Sequence, residues 1–229
     1  MSDNKISLIM FDLDGTLVDS IPDLAWCADH TLAQLGMPPL GESRLTDFLG
    51  NGAYVYVKRF LSNDLAGEPP TELYDKALPM FWETYRNNSA QFSQLYPGVS
   101  GVLQSLKDEG YTLACVTNKA GDFTDGLLKH LRIFDHFEQI VSGDTLAKKK
   151  PDPMQLLHVA KTQGRSVSEC LMVGDSMHDI AAARNAGMRV VAVPYGYNHG
   201  EDIADSDPDA VIESLTELAG LIELWNTFR

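Results

Sequence analysis

Residues 8 to 20 read LIMFDLDGTLVDS. The run from Ile6 to Phe11 holds no turn former and is short, as a strand buried on both faces is. Side chains alternate along a strand, so Asp12 and Asp14 project to one side at its carboxyl end while Leu13 points back into the core. Gly15 permits a tight turn directly behind them. Asp and Gly also end many strands simply as turn formers. Two carboxylates side by side are nevertheless costly unless a positive group or a ligand lies between them. The pair is a candidate site, and its meaning depends on what the rest of the chain brings to it.

Behind Asp19 the periodicity becomes helical. Ser20 with Asp23 three residues later fits a capping box, and Ile21, Leu24, Ala28, Leu32 and Leu35 mark one face of a helix closed by Gly36. Further helices are predicted over 42–49, 52–65 and 71–88, separated by Gly50-Asn51-Gly52 and Gly67-Glu68-Pro69-Pro70. Nothing between 20 and 93 alternates like a strand. An all-helical block directly behind the first strand reads as an inserted bundle or cap, dividing the chain into a core of 1–19 and 94–229 and a cap of 20–93.

From Tyr96 onward strand and helix alternate. The apolar runs 111–116 (YTLACV), 137–141, 170–173 (CLMV) and 189–193 read as buried strands, with helices between them carrying apolar faces such as Phe123, Leu127, Leu128 and Leu131. Ala210 to Ile212 could add an edge strand, and Ser214 with Glu217 caps a last helix that docks through Leu218, Ile222 and Trp225. This is the pattern of an α/β, doubly wound parallel sheet, a Rossmann-like core. Right-handed crossovers bring every strand's carboxyl end to one edge, where ligands bind. Asp12 and Asp14 follow the first strand, Thr117, Asn118 and Lys119 the second, a lysine run ending in Lys150 the third, and Asp175 and Asp179 the fourth. Acids that meet in such a cleft need a cation, and an oxygen donor set without Cys or His points to Mg²⁺.

Composition narrows the function classes. The chain of 229 residues is 44% apolar and 22% charged, within the range of ordered globular proteins. With 32 acidic against 18 basic residues its formal charge is -14, which argues against a nucleic-acid or anionic-membrane partner while leaving room for a small anionic substrate. Cys27, Cys115 and Cys170 lie far apart and read as buried free thiols in a reducing compartment. No signal-like segment and no long apolar run is visible, so a cytoplasmic protein, monomer or homodimer, is expected.

The DLDGT stretch, the Thr117-Asn118-Lys119 strand end, Lys150 before Pro151 and GDSMHD at 174–179 resemble, in order and over nearly the whole chain, the four signature motifs of the haloacid-dehalogenase-like hydrolases. The helical insert resembles the cap of one subclass. The run as a whole, including NGA at 51–53 and YGYNHGE at 195–201, is similar to bacterial phosphoglycolate phosphatases. The resemblance implies a Mg²⁺-dependent phosphomonoester hydrolase working through an aspartyl-phosphate. It makes Asp12 the nucleophile and Asp14 the general acid and base. Thr117 and the Asn118 backbone would contact the phosphoryl group, and Lys150, selected among Lys148, Lys149 and Lys150 by its Lys-Pro pairing, would clamp it. Asp12, Asp175 and the Asp14 carbonyl would hold the metal, with Asp179 ligating directly or through water, and Thr16 would hydrogen-bond locally to fix the turn beside the substrate.

The substrate expected from this likeness is 2-phosphoglycolate, its carboxylate read by the cap through Asn51, Lys58 and Arg59. The alternatives are a phosphosugar phosphatase, for example of a cell-wall recycling intermediate, a β-phosphoglucomutase-like phosphomutase, a dehalogenase, and a non-enzymatic binder. On its helix His178 faces away from Asp175 and Asp179 and reads as a surface or supporting residue, while His199 is open to a role at the entrance.

Overall fold

The structure, a computed structural model, describes residues 5–49 and 51–228; Gly50, part of the cap loop singled out above, and Arg229 lie outside them. Strand β1 (Leu8–Phe11) is the centre of a six-stranded sheet. Its other members are β4 (Thr112–Val116), β5 (Gln139–Val141), β6 (Cys170–Gly174), β7 (Arg189–Ala192) and β8 (Ala210–Val211). The order is β5-β4-β1-β6-β7-β8, and every pairing is parallel.

The period of two decides the layers. In register, Ile9 stands beside Leu113 and Leu171, and with Phe11, Cys115 and Val173 these side chains form one face. Helices α5 (Val99–Asp108), α6 (Gly121–His130) and α9 (Leu218–Thr227) cover it. Leu8, Met10, Ala114, Val116, Cys170 and Met172 form the opposite face, under α7 (Met154–Thr162) and α8 (Met177–Ala186). All of β1 and β6 is buried, as the unbroken apolar runs require of strands covered on both sides. The three cysteines are free and buried.

The insert consists of α1 (Ile21–Gln34), α2 (Glu42–Thr46), α3 (Ala53–Ser62) and α4 (Thr71–Asn88), packed around their own core of Leu32, Phe48, Val57, Phe60 and Phe81. The chain enters and leaves it through a two-stranded antiparallel ribbon that periodicity did not reveal, β2 (Val18–Asp19) with β3 (Gln94–Leu95). Two residues per strand are too few to alternate.

The expected Ser20–Asp23 capping box is not formed. Ser20 makes no side-chain cap. Asp23 is instead buried, and its carboxylate accepts from the backbone N–H groups of Ala90, Phe92 and Ser93 at 2.9–3.0 Å and from the Ser93 hydroxyl. It ties the two ends of the insert together, a use in which three buried donors outweigh a single helix cap. The Tyr197 hydroxyl completes the hinge, donating to Asp19 Oδ1 at 2.5 Å while accepting from the Ser20 N–H at 3.1 Å. The other capping box, Ser214 with Glu217, is present.

Candidate active site

The strand ends converge as parallel topology dictates. Asp12 leaves β1, Thr117 leaves β4, and Asp175 leaves β6; Lys150 enters from the loop before α7. The Lys150 ammonium is buried and lies 2.8 Å from Asp12 Oδ1 and 2.7 Å from Asp179 Oδ1. It also donates to the Val116 carbonyl at 2.7 Å. Burial opposes the charge on Lys150, but the two carboxylates outweigh it and raise its pKa above the ordinary lysine value. Asp175 accepts from the Thr16 hydroxyl at 2.7 Å and from the Tyr197 N–H at 2.6 Å. The contact expected of Thr16 near its own turn is thus made across the sheet, to a residue from another strand end. Gly15 sits at φ +90°, and a Cβ there would overlap the Asp175 carboxylate, so the turn between the acids requires glycine twice over.

Asp14 faces the cap side. The Lys119 ammonium lies 3.1 and 3.3 Å from its two oxygens and donates to the Tyr85 hydroxyl of α4 at 2.6 Å. Thr117 is buried, and its hydroxyl accepts from the Lys119 N–H at 3.1 Å. The Asn118 side chain donates to the Lys150 carbonyl at 3.0 Å. Asn51, on the cap loop, meets His178 Nε2 at 3.0 Å, and its carbonyl accepts from Lys149 at 2.9 Å. His178, expected to face away from Asp175 and Asp179 as a surface or supporting residue, lines the cleft and touches the cap through Asn51; His199 contacts the Asp47 carbonyl through Nδ1 at 3.0 Å.

Lys58 and Arg59 are not brought to this place. Lys58 pairs with Glu68 at 2.7 Å on the cap surface. Arg59 closes the carbonyl ends of neighbouring cap segments, donating to Phe48 at 2.9 Å and Leu65 at 3.0 Å. The cation that does line the cleft from the second strand end, Lys119, had been visible in the sequence only as part of a strand-end motif. Tyr85 carried no signal at all, being one position in an amphipathic helix.

Asp12, Asp175 and Asp179 each offer an oxygen within 4.8 Å of the others. Burial raises Asp12 from 3.8 to about 7 despite Lys150, with Asp179 adding to the rise, and it pushes Asp175 well above its ordinary value, with Asp12 and Asp179 adding to that. Three acids around one ammonium are therefore short of positive charge. A hard divalent cation fits this donor set, since every available ligand is an oxygen. The cleft above it is about 80 Å³. Its walls include Leu49, Tyr56, Trp82 and Tyr85 from the cap and Phe123 from the core, with Trp82 stacked on Phe123 at 4.9 Å.

A buried carboxylate cluster at the switch point of a parallel sheet, roofed by a helical insert, defines an α/β enzyme of the capped type. The family profile described as haloacid dehalogenase-like hydrolase matches residues 9–193. A phosphoglycolate phosphatase of Nitrosococcus oceani is 48% identical over 215 residues, covering 94% of this chain and 96% of that protein. Phosphoglycolate phosphatase 1 of Pseudomonas aeruginosa is 45% identical, covering 92% and 78%. The crystal structure of a predicted phosphoglycolate phosphatase from Haemophilus somnus superposes with a TM-score of 0.90 at 34% identity, over 96% of this chain and 99% of that one. A variant of Rhodobacter sphaeroides CbbY, solved with xylulose-(1,5)bisphosphate, gives 0.76 at 26% identity, over 94% and 99%. The chain belongs to the haloacid dehalogenase-like hydrolases.

Proposed function

We propose that this protein hydrolyses phosphomonoesters with Mg²⁺, that its substrate is 2-phosphoglycolate, and that the reaction passes through an aspartyl-phosphate on Asp12. The observation that carries the reading is the Asp12 carboxylate, pinned 2.8 Å from a buried lysine inside a cluster of three acids. An Asp12 oxygen attacks phosphorus, and the bond to the ester oxygen breaks. Asp14 gives its proton to the departing alkoxide, then takes one from the water that opens the acyl-phosphate, so that phosphate leaves and Asp12 is restored. Lys150 neutralises Asp12 and the phosphoryl oxygens, while the Thr117 hydroxyl and the Asn118 N–H stand at the strand end beside them. Asp12, Asp175, Asp179 and the Asp14 carbonyl would hold Mg²⁺, which supplies Lewis-acid neutralisation of the phosphoryl charge when bound.

The cleft, walled by both core and cap, suits a small phosphomonoester, and the names of the relatives favour 2-phosphoglycolate. We assign residues 20–93 to the cap, which excludes water during attack and opens for release. The three buried free thiols support a reducing, cytoplasmic setting. Among the described residues no helix is long and apolar enough to cross a membrane. The likeness to CbbY supports a sugar phosphate as second reading.

Phosphate release from 2-phosphoglycolate, sugar phosphates and nucleotides, with and without chelator, tests the proposal. The highest kcat/KM is expected for 2-phosphoglycolate, with activity lost on chelation. A sugar phosphate turned over better would favour the second reading, isomerisation without phosphate release would favour a mutase, and turnover undiminished by exhaustive chelation would exclude the metal-dependent route.

Metal removal has a further consequence in stability. Asp12 is an acid whose folded pKa, about 7, lies above its unfolded value of 3.8. Between those values the folded state holds a proton that the unfolded state has released, so metal-free stability falls as pH rises through this window. Asp175 acts in the same direction. In chelator the melting temperature should drop from about pH 5 to about pH 8, and Mg²⁺ should restore it far more at the higher pH. A Mg²⁺ stabilisation that is the same at both would contradict the cluster as the binding site.

A further inference from the structure

Among the described residues, two lysines line the cleft. Lys150 has three acceptors for its three N–H groups: Asp12, Asp179 and the Val116 carbonyl. Lys119 is also buried, but its ammonium faces a single carboxylate, Asp14 at 3.1 and 3.3 Å, and the neutral Tyr85 hydroxyl at 2.6 Å. Its ammonium lies 5.0 Å from the centre of the Tyr85 ring, enclosed between the core and the cap. The cap side of the cleft adds a second observation. Tyr56 on α3 lines it, is 2% exposed, and its hydroxyl has no hydrogen-bond partner. A buried hydroxyl without a partner is disfavoured unless something in the cavity accepts from it. The rest of the cap wall, Leu24, Leu49, Ala53 and Trp82, is apolar in its side chains.

We propose that Lys119, with the Tyr56 hydroxyl as second donor, recognises the carboxylate of the leaving group and so makes this enzyme specific for short phosphorylated hydroxy acids. The inference rests on the phosphomonoesterase reading and replaces Lys58 and Arg59 as the source of substrate choice. The chemistry of the chain supports it. In 2-phosphoglycolate the carboxylate carbon is separated from the ester oxygen by a single methylene. Lys119 already holds Asp14. A carboxylate bound to the same ammonium therefore brings its ester oxygen next to the residue that must protonate it. A longer acid would carry the ester oxygen away from Asp14. Because Tyr85 of the cap also accepts from Lys119, the recognising cation is fixed in place only when α4 lies against the core.

The test compares kcat/KM for 2-phosphoglycolate with that for 2-hydroxyethyl phosphate, in which a hydroxymethyl group replaces the carboxylate. The parent should prefer the acid by on the order of 10³-fold or more, as sites built around a substrate's polar group do. Lys119→Met should reduce that preference by on the order of 10²-fold, beyond any loss common to both esters, and Lys119→Arg should restore part of it. Tyr56→Phe should reduce it by about tenfold. Release of phosphate from 2-hydroxyethyl phosphate shows that each variant is folded and competent. If Lys119→Met lowers both values by the same factor, Lys119 only positions Asp14 and the proposal falls. If that variant is inactive on both esters, an unchanged preference in Tyr56→Phe overturns it. A parent that hydrolyses both esters equally would overturn the 2-phosphoglycolate reading and this inference with it, whereas a parent that hydrolyses neither would overturn the phosphatase reading itself.

Discussion

Asp12→Asn is expected to lower kcat/KM for 2-phosphoglycolate by on the order of 10⁴-fold or more, the scale on which removal of a covalent nucleophile is felt. The amide is isosteric but neither attacks phosphorus nor carries the charge a metal needs. The same change should not unfold the protein. Asp12 is an acid whose burial makes its ionised form unfavourable, with a pKa of about 7, so the neutral amide removes a charge that the metal-free fold resists. Lys150 keeps Asp179 at 2.7 Å and the Val116 carbonyl. At about pH 8 in chelator, Asp12→Asn should therefore melt no lower than the parent, and we expect it to melt higher. Activity and stability then move in opposite directions, which separates a nucleophile from a residue that merely holds the turn. Retention of a tenth of the activity would be incompatible with the covalent route, and a large fall in melting temperature would mean that Asp12 is chiefly structural.

What the sequence disclosed and what it hid follow from the range over which each signal acts. Buried parallel strands are continuous apolar runs, so β1, β4 and β6 were legible, and topology alone then gathered Asp12, Thr117 and Asp175 at one edge. The insert was legible as a change of period behind Asp19. The hinge was not. Its ribbon is two residues per strand, and Asp23 looked like a helix-capping acid because its true partners, Ala90, Phe92 and Ser93, lie on the far side of the whole insert. The same distance in sequence hid the contacts between Thr16 and Asp175 and between Lys119 and Tyr85. Lys58 and Arg59 show the converse error. A basic pair on a helix attracts attention as a candidate anion site, but Glu68 and the Phe48 and Leu65 carbonyls, all within the cap, occupy both side chains.

Of the three consecutive lysines, only Lys150 should matter greatly. Lys148 is exposed and pairs with Asp152 on the surface, so Lys148→Ala should change turnover within assay error. Lys149 reaches the Asn51 carbonyl of the cap loop, and Lys149→Ala should act on closure, raising KM by a few-fold at most, roughly the loss of one hydrogen bond. Lys150 has a buried ammonium between Asp12 and Asp179. Lys150→Ala should cost about 3 to 5 kcal/mol of transition-state stabilisation, because on the proposed mechanism it removes the fixed positive charge that offsets the developing phosphoryl charge. It should also destabilise the metal-free fold by about 3 to 5 kcal/mol near neutral pH, since breaking a buried ion pair leaves carboxylates without a counter-charge. Mg²⁺ should recover part of the stability by neutralising the same acids, but not the turnover, because it does not replace a donor to the Val116 carbonyl and Asp12 together. Lys150→Arg is the sharper variant. It keeps the charge, yet a planar guanidinium does not present three diverging donors to Asp12, Asp179 and Val116 from the volume of an ammonium. Turnover by Lys150→Arg should stay low while its stability lies above that of Lys150→Ala. Unfolding curves in chelator and in Mg²⁺, read beside kcat/KM for the same five proteins, test this directly: equal losses from all three alanine variants would remove Lys150 from the phosphate, and full activity in Lys150→Arg would reduce its part to charge alone.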